Sequence, residues 1–375
     1  MPSGLRIGVV ARDLEKKGGG TKVLLEQVLK QLHEDSRFHQ IHIIHRTPGV
    51  DKKFPRFHST CRQASKPIFD FWHVPRWTHK HRLDVVVYPK NIIPWYTHGR
   101  RLLVVLDLAC FPILDRMAYR FSDQTYMRLL LPSSCRRADH IAAISTNTKN
   151  DLMKFLHVEH EKITVIPLAA SDSFSRVNDN AVLEQVKQRY QLPNCYLLFT
   201  GGITPRKNLT TLVRAFEQIR HTHPELHLVL TGSRGWHNKV ELALIAANPA
   251  IHRLGFVPDE DMPALYTLAT MYAYPSLYEG FGLPVLEAQA CGCPVIASNT
   301  SSIPEAGGDG VRYIVPGDVE SVAEAMAEML TSEGYREMIV KKGTANVGRF
   351  SWRKTTDLLL DLCEQNAQSR GGKAC

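Results

Sequence analysis

Short, near-continuous apolar runs recur along the chain, at residues 5–11, 40–45, 83–88, 102–106, 139–144 and 163–167. Runs of this kind suit strands buried on both faces, as in a parallel sheet. Between the first two, Val23, Leu24, Val28, Leu29 and Leu32 recur at helical spacing and predict an amphipathic helix. A polar stretch at 170–180 then interrupts the pattern, which restarts with strands at 196–200, 226–230, 251–257, 271–274, 294–297 and 313–315. Helices are predicted from Leu209 to Arg220 and over 319–330, with a last one opened by Ser351 as cap and running through Leu362. Alternating strands and helices, twice over, predict an α/β fold with two doubly wound sheets. The expected domains are residues 1–175 and 176–350, followed by a C-terminal helix and tail at 351–375 that crosses back toward the first domain. A chain of 375 residues is too long for one ordinary core, which agrees with two.

Composition narrows the class. The 44% hydrophobic and 22% charged residues are those of an ordinary soluble globular protein. Residues 5–11 go straight into a strand-like run without the charged and apolar regions of a leader, and no apolar run approaches the roughly 20 residues of a membrane span. The expected location is therefore cytoplasmic. Of the eight cysteines only Cys291 and Cys293 cluster, with a spacing wrong for a CxxC redox pair or a zinc site, and they read as reduced thiols.

The charge is uneven. Residues 1–175 carry 27 Lys+Arg against 16 Asp+Glu, or +11, and the rest carry 19 against 21, or −2. A basic first half favours an anionic partner: a nucleic acid, a membrane surface or an anionic substrate. No recognisable nucleic-acid-binding module accompanies the charge, so nucleic acid is set aside. Residues 66–82 interleave Phe69, Phe71, Trp72 and Trp77 with Arg76, Lys80 and Arg82. The stretch suits docking on an anionic membrane surface, although such patterns more often pack their aromatics on a core, which is the preferred reading.

Candidate chemistry gathers in glycine loops between strands and helices. Glu279 and Glu287 flank Gly280-Phe281-Gly282 and Pro284, with Glu287 expected on the first turn of the following helix. Glycines admit close approach of a ligand, and a helix start offers unpaired N–H groups to a phosphate. Carboxylates suit sugar hydroxyls, so a ligand carrying both groups fits; each glutamate alone is also compatible with a merely solvated or dipole-complementing residue. The loop Lys16-Lys-Gly-Gly-Gly-Thr21 is either a phosphate-approaching loop or a plain connector. Asp107 follows an apolar strand, at the edge where open α/β sheets bind ligands.

Six ordered segments then carry a resemblance: Gly201-Gly-Ile-Thr-Pro-Arg-Lys-Asn208, residues 256–266, residues 275–287, Gly292-Cys-Pro-Val-Ile-Ala297, Pro304-Glu305 and Phe350-Ser-Trp352. In order and spacing, over essentially the whole chain, they resemble the family 4 glycosyltransferases. The resemblance implies a GT-B fold of two Rossmann-like doubly wound domains facing across a cleft, with the nucleotide sugar held by the C-terminal domain and the acceptor by the N-terminal one. It also implies retention of configuration, no metal and no cofactor beyond the nucleotide-sugar co-substrate. Lys207, with Arg206, is similar to the residue that holds the donor diphosphate. Glu287 matches the glutamate that binds the ribose hydroxyls, and Glu279 the one facing the transferred sugar. Gly280, Phe281, Gly282 and Leu283 supply amides near sugar or phosphate, Val257 lies at the base-binding edge, and Gly19 or Gly20 completes the phosphate pocket. The Asp259-Glu-Asp261 spacing is read as a helix cap rather than a metal motif.

This chain departs from the family pattern twice. Leu106 stands before Asp107 where a histidine is frequent, and Gly202 stands where an arginine often assists the lysine, leaving Arg206 to replace it. The expected function is transfer of a hexose from a nucleoside diphosphate sugar to an acceptor hydroxyl, on a glycan or lipid-linked glycan, at the inner membrane face. A GT-B nucleotide-sugar epimerase, which would isomerise donor without acceptor, and a non-catalytic sugar-nucleotide binding protein are the alternatives.

Overall fold

The computed structural model describes residues 4–15, 19–35, 40–111, 121–236 and 238–368. Lys16, Lys17 and Gly18 of the first glycine loop lie outside the described residues. The chain forms two compact units, the first ending its main part at Leu168 and resuming at Ser351, the second comprising Ala169–Phe350. The passage between units falls at the start of the polar 170–180 stretch, a few residues ahead of the 175/176 boundary drawn from sequence, because Leu168 and Ala169 are still buried.

In the first unit the strands are β1 (Arg6–Val10), β2 (Gln40–His45), β3 (His58–Cys61), β4 (Val85–Tyr88), β5 (Arg100–Val105), β6 (His140–Ala143) and β7 (Ile163–Val165). All pair in parallel, in the order β3-β2-β1-β4-β5-β6-β7. The C-terminal helix Trp352–Gln368 belongs to this unit. It buries Trp352, Leu359, Leu360 and Cys363, Thr355 donates to the Pro167 carbonyl at 2.5 Å, and Arg353 pairs with Asp35 at 3.1 Å. Ser351 accepts the Lys354 N–H at 3.2 Å, acting as the expected cap.

The second unit holds β8 (Tyr196–Thr200), β9 (His227–Thr231), β10 (Ile251–Gly255), β11 (Met271–Tyr274), β12 (Val295–Ser298) and β13 (Arg312–Ile314), parallel throughout in the order β10-β9-β8-β11-β12-β13. Its strands are apolar at nearly every position because helices cover both faces. Leu197 and Phe199 pack with Leu212, Phe216 and Met326 on one side, while Tyr196, Leu198 and Tyr272 pack with Leu265, Val285 and Ala288 on the other. Strand order reverses between β1 and β4 and between β8 and β11, and in such sheets ligands bind outside the carboxyl ends of the strands at the reversal.

The helices Phe121–Arg137, Asn180–Tyr190 and Lys239–Ala247 are additional to the expected pattern, and three further elements differ from it. β3 reads His-Ser-Thr-Cys, without the apolar residues that mark a strand, and takes its conformation from pairing with β2 at the sheet edge. The helix Glu333–Val347 buries only Ile339, Gly343 and Asn346, too narrow a stripe for a periodic signal. Asp259 does not cap the helix that follows it. That helix starts at Met262, and Asp261 accepts instead from Arg189 at 2.7 Å and from Tyr190 at 2.6 Å, tying it to the helix Asn180–Tyr190.

His42, on β2, is buried between two other imidazoles, with ring centroids 4.6 Å from His58 and 4.9 Å from His81, and neither of its nitrogens has a hydrogen-bond partner. Burial, with the neighbouring His58, His81 and Arg6 charges, lowers its pKa to about 4. The unfolded chain therefore binds this proton first, so stability is fully present above about pH 6.5 and falls as pH drops toward 4. Urea unfolding monitored across that window should show the decline in wild type, with a flatter dependence in His42→Leu; equal slopes would contradict it.

Candidate functional site

The loop after β8 is shaped by glycine. Gly201 has φ 130°, and its N–H donates to Thr231 O at 2.9 Å while Ile203 N–H donates to Ser233 O at 3.1 Å. A Cβ on Gly232, at φ 122°, would strike the Gly201 carbonyl, so the loops after β8 and β9 can lie together only as glycine backbone. Gly202 sits in the same close approach, against the Ser233 hydroxyl. The chain then makes a short turn, Pro205–Lys207, and Asn208 reverses it in the left-handed conformation, φ 54°.

That turn is tied to the loop after β11. Leu277 N–H donates to Arg206 O at 2.9 Å, Asn208 Nδ2 to Pro275 O at 3.1 Å, and Arg206 Nη1 to Tyr278 O at 2.6 Å. The two loops flank the β8/β11 reversal and bring three charges together. Lys207 Nζ donates to Glu279 Oε1 at 2.7 Å and to the Tyr274 hydroxyl at 2.9 Å; Arg206 Nη1 meets Glu279 Oε2 at 2.6 Å. Burial works to raise the Glu279 carboxyl, but Arg206 and Lys207 outweigh it and hold it at about 2. Burial lowers Lys207, beside Arg206, with Glu279 restoring part of the loss. Two cations against one carboxylate leave one net positive charge, which suits an anion.

Glu287 lies on the helix Leu283–Ala290, in its second turn rather than the expected first, because the helix opens at Leu283 with Gly282 before it at φ 117°. Gly282 has no side chain to cap this helix start, Pro284 supplies no N–H and Val285 N–H donates to Gly282 O at 2.9 Å, so the first three positions offer a ligand the Leu283 N–H at most. Burial raises the Glu287 carboxyl to about 7, against the Tyr266 hydroxyl that donates to Oε2 at 3.2 Å. Behind it, Thr200 bridges the Tyr266 and Tyr272 hydroxyls at 3.3 and 2.9 Å. Tyr272 and Tyr274 stack with centroids 5.9 Å apart, so one buried tyrosine layer supports both glutamates.

The chain has relatives among known proteins. Residues 18–172 match Glycosyltransferase Family 4 and residues 184–346 match Glycosyl transferases group 1. The O-antigen chain mannosyltransferase B of Escherichia coli is 30% identical, over 88% of this chain and 90% of its own length. The chain belongs to glycosyltransferase family 4. The serotype-specific mannosyltransferase WbdA of Escherichia coli is 28% identical over 76% of this chain, which spans 36% of that longer protein. Among solved structures, Anabaena HepE in complex with UDP-glucose superposes with a TM-score of 0.77 at 16% identity, covering 96% of this chain and 100% of that one. Sucrose-phosphate synthase from Thermosynechococcus elongatus gives 0.77 at 19% identity, over 96% and 98%. These likenesses establish the fold, GT-B with two Rossmann-like α/β domains.

In this glycosyltransferase the structure brings Arg206, Lys207 and Glu279 into direct contact and sets Glu287 close enough for Lys207 to act on its titration. Val257 and Phe281 point their side chains inward, Val257 into the core and Phe281 edge-on to Phe350 at 5.7 Å, so both can meet a ligand only through backbone. Gly19, Gly20 and Asp107 lie in the first unit. There a Cβ on Gly20 would rest 3.6 Å from Leu106, and Asp107 Oδ1 accepts the Ala109 N–H at 3.0 Å. Sequence reasoning passed over Ser301 and Ser302. Ser301, at φ 52°, accepts the Glu279 N–H at 2.9 Å, and Ser302 donates to Glu279 O and Phe281 O at 2.8 and 2.9 Å. Their only signal was the polar Asn299-Thr-Ser-Ser302 run after β12.

Because the Tyr266 hydroxyl favours the ionised form of Glu287, Tyr266→Phe should move that carboxyl still further above about 7. Carboxyl-carbon NMR titration of both proteins checks this, and an unchanged or lower value in the variant would contradict it.

Proposed function

We propose that this glycosyltransferase moves a hexose from a nucleoside diphosphate sugar to a hydroxyl of a glycan or lipid-linked glycan, with retention of configuration and without a metal ion. The observation that carries the reading is the cluster of buried Lys207 and Glu279 with half-buried Arg206 at the β8/β11 reversal. Its net positive charge, with the Leu283 N–H at the helix start, suits a diphosphate whose charge grows as the sugar leaves. Mannose is the favoured hexose, since both Escherichia coli relatives are named mannosyltransferases, and an O-antigen-like glycan the favoured acceptor class.

Retention is supported by the state of Glu279. Each of its oxygens is held by a cation and its carboxyl is held at about 2, so it is a poor general base at neutral pH. The acceptor oxygen then bonds to the anomeric carbon on the face from which the diphosphate departs, and a leaving phosphate oxygen takes the hydroxyl proton. Lys207 and Arg206 neutralise the departing nucleoside diphosphate, Glu287 accepts from the ribose hydroxyls, and Gly280, Gly282 and Leu283 present backbone to sugar and phosphate. In the first unit, Asp107 is assigned to the acceptor side and Gly19 and Gly20 to phosphate binding. Among the described residues no helix is long and apolar enough to cross a membrane, so a lipid-linked acceptor would be met from the surface.

Lys207→Ala should lower kcat for transfer by roughly 100- to 1,000-fold, the usual cost of removing one group that stabilises transition-state charge. Thermal unfolding in parallel separates this from loss of fold, since removing one member of a buried ion pair is itself destabilising. Full activity in a folded variant would sink the assignment, and NMR of the product linkage tests retention. A second expectation concerns pH: with the Glu287 carboxyl raised to about 7, KM for the donor should rise as pH falls below 7, and this dependence should vanish in Glu287→Gln. A KM flat from pH 6 to 8 in wild type would remove Glu287 from the ribose.

A further inference from the structure

The segment after β3 does not pack all its aromatics inward. The helix Lys66–Ile68 runs into a wide turn, Phe69–His73, in which Val74 N–H reaches back to Phe69 O, and then into the helix Val74–Lys80. That five-residue step sets Phe69, Val74 and Trp77 on the buried face and leaves Trp72 outside, 54% exposed. Arg76 sits over the Trp72 ring, its guanidinium carbon 3.1 Å from the ring centroid.

A second strand-end loop extends the same surface. Phe71 stacks on Trp95 at 4.9 Å, and Trp95 is 46% exposed. Tyr96 next to it is 90% exposed and held at φ 60°, a left-handed conformation that a bulky residue rarely adopts. Its carbonyl accepts from the His79 ring at 2.9 Å, which closes the loop back on the Val74–Lys80 helix. An outward aromatic kept in strained backbone has no packing purpose in the unit itself.

Charge completes the pattern. Residues 66–101 contain seven Lys+Arg and two Asp+Glu. Both acids are already paired with cations outside this segment, Asp70 with buried Arg12 and half-buried Asp84 with Arg6. Arg76, Lys80 and Arg82 are exposed.

We infer that Trp72, Trp95 and Tyr96, with Arg76, Lys80 and Arg82, form a docking surface for an anionic phospholipid membrane. Tryptophan and tyrosine suit the headgroup boundary, having an apolar body and a polar edge, and lysine and arginine meet lipid phosphates. A protein partner would be expected to meet aromatics without so one-sided a charge, and a nucleic acid would need cations aligned along a groove. The inference rests on the lipid-linked acceptor proposed above for its purpose, and the test separates the two.

Full-length protein is sedimented with vesicles of phosphatidylcholine alone or of phosphatidylcholine with phosphatidylglycerol, at low and high salt. Wild type should bind the anionic vesicles and be released by salt. The pairs Trp72→Ala with Tyr96→Ala, and Arg76→Glu with Lys80→Glu, should each weaken binding ~10-fold or more. Both variants should keep the wild-type thermal shift on adding UDP or GDP, which shows an intact second unit. Wild type that ignores anionic vesicles, or variants that bind them as wild type does, would overturn the inference. Salt-sensitive binding lost in the variants, with no transfer to a polyprenyl-linked acceptor in the same vesicles, upholds the surface while removing the proposed acceptor.

Discussion

A buried carboxylate and the two cations that hold it, one buried and one half-buried, at the reversal point of a parallel sheet constrain nearly everything around them. Glu279 is stable as an anion only because Lys207 and Arg206 meet one oxygen each, and those cations come from a different loop, after a different strand. Bringing them into register requires Gly201 and Gly232 to pass at backbone distance, Asn208 to turn left-handed, and Ser301 and Ser302 to hold the loop of Glu279. Burying an ion pair gains little by itself, and a well-packed apolar substitute is often as stable. An arrangement that keeps surplus positive charge in such a place makes sense as a preorganised response to an anionic ligand, since the dipoles and charges need not move when it binds.

Glu287 shows the opposite electrostatic solution eight residues further along the chain. With no cation in hydrogen-bond contact among the described residues and a tyrosine layer behind it, its carboxyl is raised by burial to about 7 rather than lowered. The two glutamates therefore have separated ionisation ranges, set by neighbours and not by residue type. The tyrosine layer under them, Tyr266, Tyr272 and Tyr274, links both through hydroxyls while its rings fill the core beneath the site. A change in that layer acts on binding and on stability together.

The first unit follows a different logic. Its sheet has the same reversal, between β1 and β4, but its distinctive surface lies in the segment 66–98. The preferred expectation that the aromatics there serve a core holds for Phe69 and Trp77 and fails for Trp72, because a wide helical turn changes which positions share a face. Periodicity at 3.6 residues has no means of anticipating that step.

Sequence alone determined the architecture and brought Arg206, Lys207, Glu279 and Glu287 forward as candidates for one site. Apolar strands alternating with amphipathic helices are a direct readout of sheets covered on both faces, and the glycine, lysine and glutamate positions carry their chemistry in their identity and spacing. Strand β3, the helix Glu333–Val347 and the start of the helix at Met262 escaped because their residues take conformation from neighbours rather than from local preference. Tertiary structure alone decided that Arg206 and Lys207 divide the two oxygens of Glu279, that Glu287 sits a turn deeper and near neutral pKa, and that Ser301, Ser302 and Tyr266 belong to the site. Those facts depend on which loops a folded sheet sets side by side, and on how burial and neighbouring charge shift an ionisable group, quantities that exist only once residues far apart in the chain are packed together.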